Sequence, residues 1–334
     1  MVEPASEDDF WNFVVARHEI FHRRFELQQP PPWTSESLLE SHKYCNVYRE
    51  LDRTSLWYIT HVARPDLPLL PEDKPRLVYS TIAYRFWNNP TTYGCLTTDD
   101  GGNAPSGRLF VPEQQAALRR YIRQAPKPHI ARAYTVSSHR KGVETDEYII
   151  KYILKPLVSK RGRVLRLRIA NASSAKEAFD LLYSIHGLGG TGFLSYQILL
   201  DLNMSPLFSF DVENTFVVPG PGTKRGLERI FGELRSEVDL LVELCACSTR
   251  ELQKRSFLFF RNRKLSLESV SNCCCEYDKY RRKLEYDSGA SSHRAVLRKF
   301  RGGDDSSYLE MLNSQALTSL YERWRRISPI GFLS

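Results

Sequence analysis

The stretch Ile185-His186-Gly187-Leu188-Gly189-Gly190-Thr191-Gly192-Phe193-Leu194 constrains the fold most, because so dense a run of glycines fits a tight turn. Apolar residues on both sides recur at helical spacing. This predicts helices over 173–185 and 191–203 joined by a hairpin at 186–190. The string also fits G-x-G-x-x-G through Gly187, Gly189 and Gly192. A dinucleotide site needs a strand before its first glycine, and residues 175–184 have helical periodicity instead. A doubly wound nucleotide-binding sheet is therefore set aside.

Most of the remaining chain has the same period. Ser6, with Asp9 three residues on, marks the start of a helix carrying Phe10, Phe13, Val14, Arg17, Ile20, Phe21 and Phe25, ended by Pro30-Pro31-Pro32. A second helix is expected over 42–62, with Tyr44, Val47, Tyr48, Leu51, Ser55 and Tyr58 on one face and Arg49, Glu50, Asp52 and Arg53 beside them. Further helices are expected over 75–87, 112–124, 145–157, 224–231, 236–255, 266–285 and 307–326. A loop is expected over 91–107, a short hairpin at 132–136 and a basic segment at 160–168. The expected class is mainly α. Residues 1–290 form the main domain, with a second lobe near 90–170, and 291–334 form a C-terminal helical extension.

The chain is 42% hydrophobic, enough for a sizeable core, and its formal charge of +8 favours a polyanionic partner. Seven cysteines without a C-x-x-C pair point to reduced thiols in an intracellular protein, nuclear if eukaryotic and otherwise cytoplasmic. No signal peptide is expected, since acidic residues crowd the start, and no apolar run is long enough to span a bilayer.

Two glycine-containing segments are suited to phosphate. Helix, glycine-rich hairpin and helix at 173–203 resemble a helix-hairpin-helix DNA-binding unit, in which backbone N–H groups at Gly187, Gly189, Gly190 and Thr191 approach a DNA phosphate. The competing reading is an ordinary turn between packed helices. Pro219-Gly220-Pro221-Gly222-Thr223-Lys224-Arg225 places a helix N-terminus beside two cations. It is not a Walker A loop, because the glycine spacing fails, and 102–108 lacks the Lys and the Ser/Thr.

Several strings, in order, resemble one family. They are Trp11-Asn12-Phe13 with Ala16-Arg17-His18-Glu19-Ile20, Pro32-Trp33-Thr34, Tyr44-Cys45-Asn46-Val47-Tyr48-Arg49-Glu50-Leu51-Asp52-Arg53 and Ala83-Tyr84-Arg85-Phe86-Trp87-Asn88. Pro219-Gly220-Pro221-Gly222 with Arg225-Gly226-Leu227, and Cys275-Glu276-Tyr277-Asp278-Lys279-Tyr280, complete the set. Over residues 10–285 the chain resembles the α-glutamyl/putrescinyl-thymine pyrophosphorylases, also described as the helical domain associated with 5-hydroxymethyluracil DNA kinases.

The resemblance implies a helix-hairpin-helix DNA glycosylase-like fold, two helical lobes around a cleft, double-stranded DNA as partner and a flipped-out base. The implied reaction replaces the pyrophosphate of a 5-pyrophosphorylated hydroxymethyluracil with an amine or amino acid. Such chemistry needs a general base and donors for the departing pyrophosphate. The candidate catalytic groups are Glu50, Asp52, Glu276, Asp278 and Lys279, and the candidate substrate-binding groups are Asn46, Arg49, Arg53, Arg85 and Asn88. The candidate phosphate-binding groups are Gly187, Gly189, Gly190, Thr191, Gly220, Gly222, Thr223, Lys224 and Arg225. No cofactor is implied. Aligning Arg225 and Arg229 with a glycosylase's spaced arginines puts Gly220 where the catalytic Asp would stand, so glycosylase chemistry itself is not implied.

Rival readings of the same residues stay open. Arg49, Glu50, Asp52 and Arg53 also fit a salt-bridged helix face, and Asp278 also fits an i+4 pair with Arg282. His18-Glu19-Ile20-Phe21-His22 matches the zinc-protease spacing H-E-x-x-H, with Glu40 and His42 as further ligand candidates, although Arg17, Arg23 and Arg24 surround it. A DNA-binding module without catalysis, and an active glycosylase, complete the alternatives.

Overall fold

A computed structural model describes residues 6–94, 129–130, 142–188, 190, 192–210, 212, 214–232, 235–292, 297–300, 302–303 and 305–333. The fold is mainly α, and among the described residues the only β pairings are isolated bridges, His42–Lys299 and Arg263–Phe332. The helices are α1 Glu7–Phe21, α2 Ser37–Ser41, α3 Arg53–Tyr58, α4 Lys74–Trp87 and α5 Pro90–Gly94. Then come α6 Thr145–Tyr148, α7 Lys155–Val158, α8 Lys160–Ala170, α9 Ala175–Tyr183 and α10 Phe193–Leu202. The last are α11 Pro221–Phe231, α12 Glu237–Lys254, α13 Leu267–Asp287, α14 Ser306–Leu312 and α15 Gln315–Ile327. The expectations at 112–124 and 132–136, and most of that at 91–107, lie outside the described residues.

Backbone contacts divide the chain into two compact units. The first is Met1–Asp52, Glu213–Leu312 and Tyr321–Ser334; the second is Arg53–Val212 and Asn313–Leu320. These boundaries differ from a division at residue 290.

In the first unit α13 is the central element, with α1, α2, α11 and α12 against it. Its register with α11 depends on two glycines. A Cβ on Gly226 would lie 2.1 Å from the Cys274 carbonyl oxygen, and one on Gly222 2.3 Å from Cys275 Sγ. At Gly226 the close approach is therefore possible only with glycine, whereas at Gly222 a Cβ would require the Cys275 side chain to turn. The α1 side is aromatic: Phe10 and Phe13 each lie 5.6 Å, ring to ring, from Tyr277. Ser6 caps α1 by accepting the Asp9 N–H at 3.1 Å, as its spacing predicts.

The second unit packs α4 against α8 and α10, with α9 between α8 and α10. Inside it Arg85 and Asp201, both fully buried, form an ion pair with Arg85 Nη2 to Asp201 Oδ1 at 2.7 Å. The tight turn between α9 and α10 forms where the glycines predict it. Gly187, Gly190 and Gly192 have φ of +86°, +81° and +73°, a region that other residues rarely adopt. Gly189 and Thr191 lie outside the described residues.

Two expected helices are not continuous. Over 42–62 the chain is extended at first, makes a single 3-10 turn at Arg49–Leu51, and begins α3 only at Arg53. Asn46 and Asp52 break it. The Asp52 carboxylate accepts the Asn46 N–H at 2.8 Å, and the Asn46 side chain donates to the Leu51 carbonyl at 2.6 Å. These local bonds replace the helical ladder. Over 307–326 the chain divides into α14 and α15. The basic segment at 160–168, expected as a connection, is the helix α8.

Candidate functional site

The extended segment 44–52 lies along one face of α13 in the first unit. The Cys45 N–H donates to Glu276 Oε2 at 3.2 Å, Asn272 Nδ2 donates to the Asn46 carbonyl at 3.1 Å, and Arg49 Nε lies 3.7 Å from Glu268. Glu268, Asn272 and Glu276 are spaced by four residues, so one helical stripe matches the strap. From α1, Arg17 fixes the strap from its other side. Its Nε donates to the Cys45 carbonyl at 3.0 Å, and its Nη2 to the Tyr44 carbonyl at 3.0 Å and to Asn46 Oδ1 at 2.8 Å.

Asp52 is half-buried at the end of this strap. Burial pushes its carboxyl up to about 6, the neighbouring Glu276 adds to the rise, and the Asn46 N–H and the Arg17 guanidinium oppose it. A carboxylate that titrates near neutrality suits proton transfer. Glu276 is buried and ion-paired with Lys279. Burial disfavours the charge on Lys279, but the Glu276 carboxylate overrides this and holds the amine above lysine's ordinary range. Lys279 is therefore a fixed cation and not a nucleophilic amine. Burial pushes the Cys45 and Cys275 thiols up, so neither is a ready thiolate. The buried Tyr44 hydroxyl has no hydrogen-bond partner among the described residues.

Several expected site residues lie elsewhere. Glu50 turns into the core, ion-paired with Arg263 and accepting the Tyr321 hydroxyl at 2.7 Å. Arg263 in turn stacks on Trp324, 3.8 Å from the ring centre. Burial pushes Glu268, at the far end of the stripe, up to about 8, with Arg49 opposing. Asp278 is fully buried and accepts from Arg225 Nε at 2.9 Å, Arg229 Nε at 3.0 Å and Arg282 Nε at 3.1 Å. Three guanidiniums occupy its lone pairs, so it joins α11 to α13 and has no room to act as a base.

The expected phosphate contacts at 220–225 are also engaged in packing. Gly220 caps α11, Gly222 abuts Cys275, and buried Thr223 donates to the Ser271 carbonyl at 3.0 Å. Lys224 Nζ sits 2.9 Å from Glu237. Arg53, Arg85, Asn88, Gly187 and Gly190 belong to the second unit. Arg85 and Asn88 are enclosed in its core, with Arg85 Nη1 donating to Asn88 Oδ1 at 2.9 Å, so neither has a surface to offer a substrate.

The zinc-protease alternative fails on the coordinates. His18 Nε2 is hydrogen-bonded to the Leu258 carbonyl at 2.8 Å, and burial lowers this imidazole to about 3. His22 pairs with Glu26 at 2.7 Å. Among the described residues no cluster of His, Cys, Asp and Glu is suited to a metal, and no helix is long and apolar enough to cross a membrane. Sequence reasoning missed Arg17, Asn272 and Glu268 as site residues. The signal for Arg17 was an arginine on an otherwise apolar face of α1. Asn272 and Glu268 precede Glu276 at helical spacing.

The profile of the family described as "5-hmdU DNA kinase, helical domain" matches residues 5–289. A 5-hmdU DNA kinase of Bacillus phage SP10 is 24% identical over 334 residues, covering 92% of this chain and 51% of that protein. The chain thus spans about half the length of the curated relative it matches. No solved structure matches it. With the strap, α1 and α13 all inside the matched span, the chain belongs to the 5-hmdU DNA kinase helical-domain family.

Proposed function

We propose that this chain acts on 5-hydroxymethyluracil in DNA, and that the strap 44–52 with α13 is its base-handling site. In this reading the substrate is the pyrophosphorylated base, and the reaction is displacement by an amine. The amine nitrogen attacks the 5-methylene carbon. The carbon–oxygen bond breaks with its electron pair leaving on pyrophosphate, and the ammonium proton passes to Asp52. Lys279, held charged beside Glu276, faces the negative charge that develops on the leaving group. Asp52 carries the reading: it is a half-buried carboxylate whose proton affinity sits near neutrality.

The family match and the name of the phage relative support hydroxymethyluracil DNA as the substrate class. The α9–α10 turn, built on Gly187 and Gly190, supports docking of a helix-hairpin-helix kind to the duplex backbone, with the base extruded. In this reading the step is displacement and not phosphoryl transfer.

A second reading, a module that recognises the modified base without turning it over, is favoured by one observation. Glu50, Glu276 and Asp278 are each ion-paired with Arg or Lys. Mass spectrometry of nucleosides separates the readings. DNA containing 5-hydroxymethyluracil, with and without its pyrophosphate, is incubated with the protein and a set of amines. An aminated nucleoside formed only from the pyrophosphorylated DNA supports displacement. Tight binding without a new nucleoside supports the module, and release of a free base would replace both readings by a glycosylase.

A further inference from the structure

A long stretch of the chain biased to one charge lies outside the site just described. Between Glu147 and Glu177 the sequence holds no Asp or Glu but carries Lys151, Lys155, Lys160, Arg161, Arg163, Arg166, Arg168 and Lys176. Its centre is α8, whose two faces differ sharply. Gly162, Arg166, Ile169 and Ala170 are buried. Arg166 Nε donates to the Leu157 carbonyl at 3.0 Å and its Nη1 to the Pro75 carbonyl at 3.1 Å, which fastens the helix to the start of α4. A Cβ on Gly162 would lie 2.3 Å from the Pro156 carbonyl oxygen, so the corner from α7 into α8 is closed as tightly as a backbone allows.

The opposite face is exposed and consists of Lys160, Arg161, Arg163, Val164, Leu167 and Arg168. At 3.6 residues per turn these six positions fill one arc of about 160°. Val164 and Leu167 form its ridge, with Arg163 on one flank, Arg161 and Arg168 on the other, and Lys160 beside the ridge. Among the described residues none of the four cations makes an ion pair, and of their charges only that of Arg168 acts on a carboxyl, helping the Ser173 hydrogen bonds to lower Glu177. The contrast with α11 is instructive: Lys224 and Arg225 are held by Glu237 and Asp278. A cation already paired gains little from a phosphate, whereas one facing only solvent and counterions gains most, because binding releases those counterions.

We infer that the exposed face of α8 is a docking surface for the phosphate backbone of duplex DNA. The inference rests on the reading of the chain as a DNA-acting domain and locates where the second unit meets that DNA. Charge complementarity selects the occupant. A duplex offers one negative charge per ~1.7 Å of axis, so a helix of about 16 Å meets a phosphate wherever it lies. Two aliphatic side chains without a Trp or Phe are too little for a helix that inserts into a lipid surface. The attachment through Arg166 and Gly162 fixes the helix backbone that carries the four cations, so only their side chains need ordering on binding.

The test uses the full chain and a short fluorescent duplex containing 5-hydroxymethyluracil, titrated by anisotropy over a range of salt. The variant Lys160→Gln/Arg161→Gln/Arg163→Gln/Arg168→Gln should bind at least about tenfold more weakly and have a log K against log salt slope shallower by about 3. The charge-retaining variant Lys160→Arg/Arg161→Lys/Arg163→Lys/Arg168→Lys should keep the wild-type slope, which separates charge loss from misfolding. Wild-type affinity and slope in the Gln variant would overturn the surface while leaving the DNA reading intact. No binding of the duplex by the wild-type protein would overturn the DNA reading itself. Wild-type binding to phosphatidylserine vesicles in place of duplex, lost in the Gln variant, would reassign the face to a membrane.

Discussion

The Cys45 N–H donates to Glu276 Oε2 at 3.2 Å, joining residues 231 positions apart in the chain. This bond fixes the register of the strap on α13, because Asn46 then meets Asn272 and Arg49 meets Glu268 one and two turns back. The arrangement places an acid of raised proton affinity at each end of the contact, Asp52 near Glu276 and Glu268 near Arg49.

Glu268 should make stability depend on pH. Burial raises its carboxyl from 4.5 to about 8, so the folded state holds this proton more tightly than the unfolded chain. The stabilisation is complete below the unfolded value and is lost as pH rises through the folded one. The melting temperature of the wild type should therefore fall as pH rises from about 4.5 to about 8. Glu268→Gln, which keeps the neutral shape, should flatten that fall. An identical pH profile in the variant would remove Glu268 as the cause.

Much of this was legible in the sequence. The α9–α10 turn followed from Gly187 and Gly190, which few other residues could replace, and α1 followed from Ser6 and its apolar stripe. The helical period at 42–62 misled, because hydrophobic spacing does not register a side chain that bonds its own backbone, as Asn46 and Asp52 do. Charge patterns were equally blind to partners. Arg85 and Asn88 were candidate binding residues through the resemblance, yet Asp201, 116 residues on, absorbs Arg85 inside a core. Gly222 resembled a phosphate loop because sequence cannot separate a glycine needed for an N–H from one needed for helix approach.

The Arg85–Asp201 pair should be the most sensitive polar contact of the second unit. Both side chains are fully buried, and removing one partner strands the other charge. Asp201→Ala should cost about 3–5 kcal/mol in urea unfolding. The double variant Arg85→Met/Asp201→Leu should recover part of that loss. A cost below about 1 kcal/mol for Asp201→Ala would mean that the pair is hydrated in solution.

The glycines between α11 and α13 should differ in cost. Gly226→Ala drives a methyl group into the Cys274 backbone, which cannot rotate away, and should destabilise the first unit by about 1–3 kcal/mol. Gly222→Ala meets the Cys275 side chain, which can turn, and should cost less. Equal losses would imply that the helices separate as a unit in both variants.

The pH profile of amine incorporation by the wild type and by Asp52→Asn, read as aminated nucleoside by mass spectrometry, tests the central claim most directly. With Asp52 as the base, its raised carboxyl must lose a proton before it can act, so wild-type turnover should rise through about pH 6 and level off above it. Asp52→Asn should lose about 10²-fold or more in turnover at every pH while binding the same DNA with unchanged affinity. Turnover by Asp52→Asn at the wild-type rate, with the rise near pH 6 intact, would contradict the account and exclude Asp52 from the chemistry.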